Sequence, residues 1–190
     1  MAVFAGLAIL VGMVIGCTPA SAKTFPSPYD GEIHKAVERW WPDYPHWLAW
    51  KAQLYQESRL DPTAVSPVGA KGLAQFMPGT WVGVARELRL PAGASPTQDI
   101  AIDAGAYDMA KLRKAWRSPR PAEDRHMLAQ ASYNAGLGNL IAAQKRCGGL
   151  ARYAEIIACL PAITGPRNSA ETIGYVISIA KWRRLMEAGL

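Results

Sequence analysis

Apolar and polar positions divide the 190-residue chain at residue 22. Residues 1–22 hold no Asp, Glu, Lys, Arg or His, and Ala2 to Gly16 form one apolar run. Beyond that point the apolar positions recur at helical spacing. Trp47 to Leu60 has neither Gly nor Pro and stops at Asp61-Pro62, because proline disfavours helical geometry in the residue before it. Asp99 to Trp116 repeats apolar residues at Ile100, Ala104, Tyr107 and Leu112 and closes at Ser118-Pro119. Glu123 to Tyr133 runs into Asn134-Ala135-Gly136, a helix end. Asn168 to Met186 opens on an Asn-x-x-Glu pattern like a capping box and continues through Ile173, Val176, Ile177, Ala180 and Leu185. No stretch alternates as a strand does, and no internal repeat is visible. The pattern predicts a mainly α single domain over 40–190. Before it come a linker and N-terminal extension over 23–39, where Lys23 to Gly31 carries two prolines and a glycine.

Composition sharpens the division. Half the residues are hydrophobic and the formal charge is +6, which excludes disorder, collagen-like repeats and a multi-span membrane protein. The apolar run is short of the ~20 residues a spanning helix needs and ends in small residues, as an export leader does. Two processing sites compete. Val14-Ile15-Gly16-Cys17 resembles a lipoprotein signal that would lipidate Cys17, and Ala20-Ser21-Ala22 resembles an ordinary secretory site. No Lys or Arg precedes the run, which fits neither: either translation starts elsewhere or the leader is a weak or uncleaved anchor. With Cys17 in the leader, Cys147 and Cys159 remain, a disulfide candidate in an exported domain, against the alternative of two buried free thiols. His34, His46 and His126 lack ligand spacing, so no metal site is expected.

Two segments carry candidate chemistry. Trp47, Trp50, Leu54 and Glu57 fall on one helical stripe, and no Lys or Arg stands three or four residues from Glu57. A carboxyl against tryptophans in an apolar cleft has a raised pKa, as a general acid near neutral pH requires. The competing reading is a Glu near a helix end facing solvent. The second segment, Ser66 to Trp81, holds Gly69, Gly72, Gly79, Pro67 and Pro78 around Gln75, Phe76 and Met77. Glycines let a backbone approach a ligand, with Gln75 and Met77 offering a polar and an apolar contact; a compact turn with Met77 in the core competes.

Together these segments resemble the soluble lytic transglycosylase family. The residues that carry the likeness are Gln56-Glu57-Ser58, then Ala64, Ser66, Gly69-Ala70, Gly72-Leu73, Gln75, Met77-Pro78 and Thr80-Trp81. Asp99-Ile100, Asp103-Ala104-Gly105-Ala106-Tyr107, Ser132-Tyr133-Asn134-Ala135-Gly136 and Glu171-Thr172 with Tyr175-Val176 follow in the family's order. The resemblance, over roughly 45–180, implies a goose-type lysozyme-like fold, no cofactor, and Glu57 as the single acid/base. It implies that Ser66, Gln75, Met77, Tyr133, Asn134, Glu171 and Tyr175 line the glycan cleft, with Tyr133 hydrogen-bonded near Glu57 to tune it. The alternatives are a cap for Glu171 and plain core packing for Tyr133 and Tyr175. Ala74, where the family usually has Met, is expected to loosen a cleft wall; Ser132 for Ala is a mild change.

The reaction so implied is cleavage of the β-1,4 bond between N-acetylmuramic acid and N-acetylglucosamine in peptidoglycan. Glu57 acts first as acid and then as base, closing a 1,6-anhydro ring without water, and Asp61 carries no mark of a nucleophile. The setting is export to the periplasm or to a membrane face toward it, where the positive charge favours adsorption to anionic peptidoglycan or membrane. Rival readings are a muramidase on the same fold and a non-catalytic peptidoglycan-binding assembly factor using the seven tryptophans. The basic residues Lys111, Arg113, Lys114, Arg117, Arg120 and Arg125 suggest a nucleic-acid binder only weakly, since no recognition motif accompanies them, and no nucleic acid is expected as a partner.

Overall fold

The computed structural model describes residues 25–190, so the leader and Cys17 lie outside the described residues. In chain order its helices are α1 (Asp30–Trp40), α2 (Trp47–Ser58), α3 (Pro78–Glu87), α4 (Ile100–Ala115), α5 (Ala122–Ala135), α6 (Leu137–Arg146), α7 (Tyr153–Ile157), α8 (Pro161–Thr164) and α9 (Pro166–Glu187). No strand forms among the described residues; two isolated antiparallel bridges, Val65 to Lys71 and Lys71 to Phe76, pin the loop after α2. None of the described helices is long and apolar enough to cross a membrane.

Segment 23–39 contains most of a core helix. Ile33, Ala36 and Val37 give α1 an apolar stripe at i, i+3 and i+4, and all three are buried. Asp30 and Glu32 in its first turn and Arg39 in its last complement the helix dipole. Lys51 of α2, itself buried, pairs with Asp30 at 2.7 Å and so ties the start of α1 to the body. A boundary at residue 40 therefore falls on the last residue of a helix packed against α2 and α4.

Helix α2 is enclosed on nearly every side: Ala49, Trp50, Lys51, Ala52, Gln53 and Leu54 are all buried. Helix α4 crosses it closely. A Cβ on Gly105 would sit 2.7 Å from the Trp50 ring, so only glycine permits this approach. Helices α5 and α9 complete the surround, and a second apolar cluster lies beyond them around Leu128, Leu140, Ile156, Leu160 and Val176.

The Asn168 capping box does not form. Gly165, at φ 81°, and Pro166 at the first helical position start α9 before Asn168, whose side chain donates instead to the Thr164 carbonyl at 3.0 Å. The basic residues mostly serve the fold. Lys111 pairs with Glu87 at 2.6 Å, and buried Arg113 pairs with Asp43 at 2.7 Å. Arg120 and Arg125 donate to the Ala151 and Trp116 carbonyls.

Cys147, at the end of α6, is joined to Cys159, just past α7, with Cα atoms 5.9 Å apart. The bond spans 12 positions of sequence and ties α6 to the turn leading into α8. Replacing both cysteines by serine should lower stability by about 2–3 kcal/mol through the freer unfolded chain. Urea unfolding of oxidised wild type and the double variant measures this; equal midpoints would contradict it.

Candidate active site

The site is built where α2 ends. Asp61-Pro62 forbids continuation, and the chain leaves the helix through Arg59 and Leu60, at φ 58° and 64°. Two successive non-glycine residues in the left-handed region are costly, roughly 1–3 kcal/mol each. The preceding triplet is held on three sides. Trp182 of α9 donates to Gln56 Oε1 at 2.8 Å, Tyr175 of α9 donates to Glu57 Oε1, and Ser58 donates to the Leu73 carbonyl at 3.0 Å. Tyr175 and Trp182 are seven apart and share the face of α9 that meets α2.

Glu57 meets no cation within ion-pair reach among the described residues. Burial pushes its carboxyl from an ordinary 4.5 up to about 7, against the opposing pull of the Tyr175 hydroxyl. The Tyr175 phenol is driven well above its ordinary range by burial and then by the Glu57 charge. Near neutrality Glu57 therefore holds or releases its proton, while Tyr175 stays a donor. Asp61, the nearest acid in sequence, is exposed and engaged by Thr63 at 2.7 and 2.8 Å, which lowers its pKa.

Tyr133 does not supply the hydrogen bond to Glu57. Its hydroxyl donates to the Ala74 carbonyl at 2.6 Å, and burial followed by the Glu57 charge raises its pKa. The tuning contact comes from Tyr175 because α9 lies directly along α2. Tyr133 instead ties α5 to the loop after α2.

That loop is a fixed turn. Gly72, at φ 76°, stands where a Cβ would meet the Pro96 carbonyl oxygen, so only glycine fits. Gln75, itself at φ 47°, donates through Nε2 to the Ala64 and Gly72 carbonyls at 3.1 and 3.0 Å. The Ser66 hydroxyl accepts from the Ala70 amide at 3.0 Å and closes its own turn. Met77 is exposed, as are Val65 and Val68, so the loop presents an apolar surface to solvent. Ala74 does not form a loosened wall. It is fully buried, and its Cβ lies against Gly105, where Trp50 leaves no room for more.

Farther along, Thr172 donates to Asn134 Oδ1 at 2.7 Å and joins α9 to the end of α5. Asn134, Asn139, Asn168, Glu171 and Thr172 line a cleft of about 220 Å³. Glu171 is exposed there and free of any capping role, while Ser132 gains two partners, donating to the Leu128 carbonyl and accepting from Trp116. Sequence reasoning did not assign Gln56, Ser58, Thr172 and Trp182. Three of them stand inside its motifs, and the spacing of Trp182 from Tyr175 is the available signal for the fourth.

Residues 49–156 match the sequence model of the Transglycosylase SLT domain. The chain belongs to this family. The membrane-bound lytic murein transglycosylase F of Alcanivorax borkumensis is 32% identical over 124 residues, 63% of this chain and 25% of the relative. That of Maricaulis maris is 28% identical over 156 residues, 75% of this chain and 33% of the relative. The chain thus spans a quarter to a third of the length of these relatives. Among solved structures, the 70 kDa soluble lytic transglycosylase of Escherichia coli superposes with a TM-score of 0.63 at 25% identity, over 85% of this chain and 24% of that one. An inactive variant of the lytic transglycosylase Slt of Pseudomonas aeruginosa matches in fold, with a TM-score of 0.61 at 23% identity, over 83% of this chain and 24% of that one. The mainly α, lysozyme-like fold expected of an SLT domain is the one observed.

Two stability measurements follow from this SLT site. The raised carboxyl of Glu57 contributes its stability below the unfolded value near 4.5, and that contribution is lost as pH rises through about 7. Glu57→Gln should therefore match wild type near pH 4 and exceed it at pH 8 by on the order of 3 kcal/mol. Paired denaturation curves at the two pH values test this; an unchanged gap would refute it. Ala74→Met should overpack the Gly105–Trp50 contact and cost about 1–3 kcal/mol, read as a lower Tm.

Proposed function

We propose that the protein is a peptidoglycan lytic transglycosylase whose single acid/base is Glu57. It cleaves the β-1,4 bond between N-acetylmuramic acid and N-acetylglucosamine and leaves a 1,6-anhydromuramyl end. The observation that carries this reading is one carboxyl, raised to about 7, with a phenol as its only hydrogen-bond partner among the described residues. Such a group is protonated often enough to donate to the glycosidic oxygen, and once ionised is basic enough to take a proton back. The cleaved glycosidic oxygen keeps the proton of Glu57. The muramyl 6-hydroxyl then attacks the anomeric carbon and returns its proton to the carboxylate, so no water enters.

Tyr175 steadies the ionised state between the two transfers. Gln75, Met77, Tyr133, Asn134 and Glu171, with Ser66 behind them in the turn, form the glycan-facing surround. Membership of the SLT family supports the substrate class, as does the naming of the relatives as lytic murein transglycosylases. The leader over 1–22 is read as the export signal to the periplasm, with Cys17 as its lipidation candidate. A purely sugar-binding role draws little support from the tryptophans, because Trp41, Trp50 and Trp116 are fully buried in the core.

Digestion of purified peptidoglycan followed by mass spectrometry of the muropeptides tests the assignment. Ends lighter by one water are expected; reducing ends would make the protein a muramidase instead. Glu57→Gln should leave no measurable cleavage while the protein remains folded, and retained cleavage would sink the role of Glu57.

A further inference from the structure

Gln53 stands one turn before Glu57 on the same face of α2 and is completely buried. Among the buried side chains of the described residues, it alone leaves both of its polar atoms without a hydrogen-bond partner. An amide so placed costs roughly 1–3 kcal/mol per unsatisfied group. Packing alone would favour Met or Leu. The other buried polar side chains near the site are engaged: Ser58 with Leu73, Ser132 with Leu128, Thr172 with Asn134. The Tyr175 hydroxyl is bonded to Glu57, one turn along the same face, and it is this hydroxyl whose acidity Gln53 supports against the effects of burial and of the Glu57 charge.

We infer that Gln53 is a positioning residue of the Glu57 site, its side-chain amide donating to the Tyr175 hydroxyl oxygen and so aiming the single phenol proton at Glu57. The inference rests on the reading of Glu57 as acid/base. A phenol oxygen has one proton and two lone pairs, and an N–H on a lone pair fixes where the proton points. It also polarises the O–H bond, which strengthens donation to the carboxylate. The chain Gln53, Tyr175, Glu57 thus begins and ends on α2, with α9 supplying the middle member. The titratable groups facing it are Tyr175 from α9 and Tyr133 from α5, with Asp108 of α4 acting on Tyr133.

Gln53→Met keeps length and volume and removes the donor. It should fold at least as stably as wild type. Its kcat on peptidoglycan should fall about fivefold, the equivalent of one net hydrogen bond, with KM nearly unchanged. Because the Glu57 carboxylate loses support, the alkaline limb of kcat should move up by about half a pH unit. Tyr175→Phe should move that limb at least as far, and adding Gln53→Met to it should change nothing more. A limb that moves in Tyr175→Phe and stays in Gln53→Met would overturn the inference, as would full additivity in the double variant. In the wild-type protein, NMR should give a cross-relaxation contact between the Gln53 side-chain amide protons and the Tyr175 ring; its absence also overturns it. Failure of the Glu57 reading shows separately, as cleavage by Glu57→Gln, and leaves the NMR result to decide the Gln53–Tyr175 pair.

Discussion

The contact between the last turn of α2 and the middle of α9 is the one on which the rest depends. Glu57 is a charged-type residue set half-buried at the end of an enclosed helix, and the desolvation there is what lifts its carboxyl toward neutrality. The lift requires that α2 be enclosed before it ends. Trp50 under α4, with Gly105 cut down to let it in, and Leu54 in the core provide that enclosure. Had α2 been an ordinary surface helix, Glu57 would be solvated at its usual pKa. Gln56, Glu57 and Ser58 each bind a different partner, so the carboxyl has little freedom to swing out to solvent.

Much of this is legible in the sequence, and the limits are physical. Apolar spacing places α2, α4, α5 and α9 because each is long and periodic, and Pro or Gly marks their ends. Glu57 stands out by lacking a cation at helical spacing. The α1 helix is hidden because its apolar stripe is only three residues wide and follows a proline-rich stretch. Which tyrosine reaches Glu57 depends on how α9 lies against α2, a long-range relation that neither spacing nor motif order states. The setting of Ala74 is hidden for the same reason: its neighbour Gly105 is 31 positions away, and only the fold shows that Ala74 and the Trp50 ring crowd the same glycine.

The site also concentrates unfavourable features. Arg59, Leu60 and Gln75 all have left-handed backbones, Gln53 is a fully buried amide, and Glu57 is a desolvated acid. These lie in the last turns of α2 and the loop that joins it to α3. Elsewhere local preference and tertiary structure agree more closely, as in the dipole-matched charges of α1 and the Pro166 start of α9. Arg89 at φ 52° and the unpartnered His126 Nε2 lie outside it, but the concentration of conflict around Glu57 is what a functional site adds to a fold.

Such a site is only as well placed as α9, and α9 is held along its length. Thr172 binds Asn134 near its start, Trp182 binds Gln56 in its last third, and Arg183 beyond it reaches Tyr44 at 2.8 Å and Glu123 at 3.4 Å. Tyr44 in turn donates to Glu123 and stacks on buried His126 at 4.4 Å. His126 has its pKa driven well down by burial and by Arg113, so it remains neutral there. Tyr175 sits between these anchors. A shift of α9 by even part of a turn would move the phenol off Glu57, yet of these anchors only Trp182–Gln56 lies in the contact itself. Orientation of the acid/base is therefore a property of how a long helix is clamped, and the polar network around Tyr44 belongs to the site's geometry although it stands outside the site.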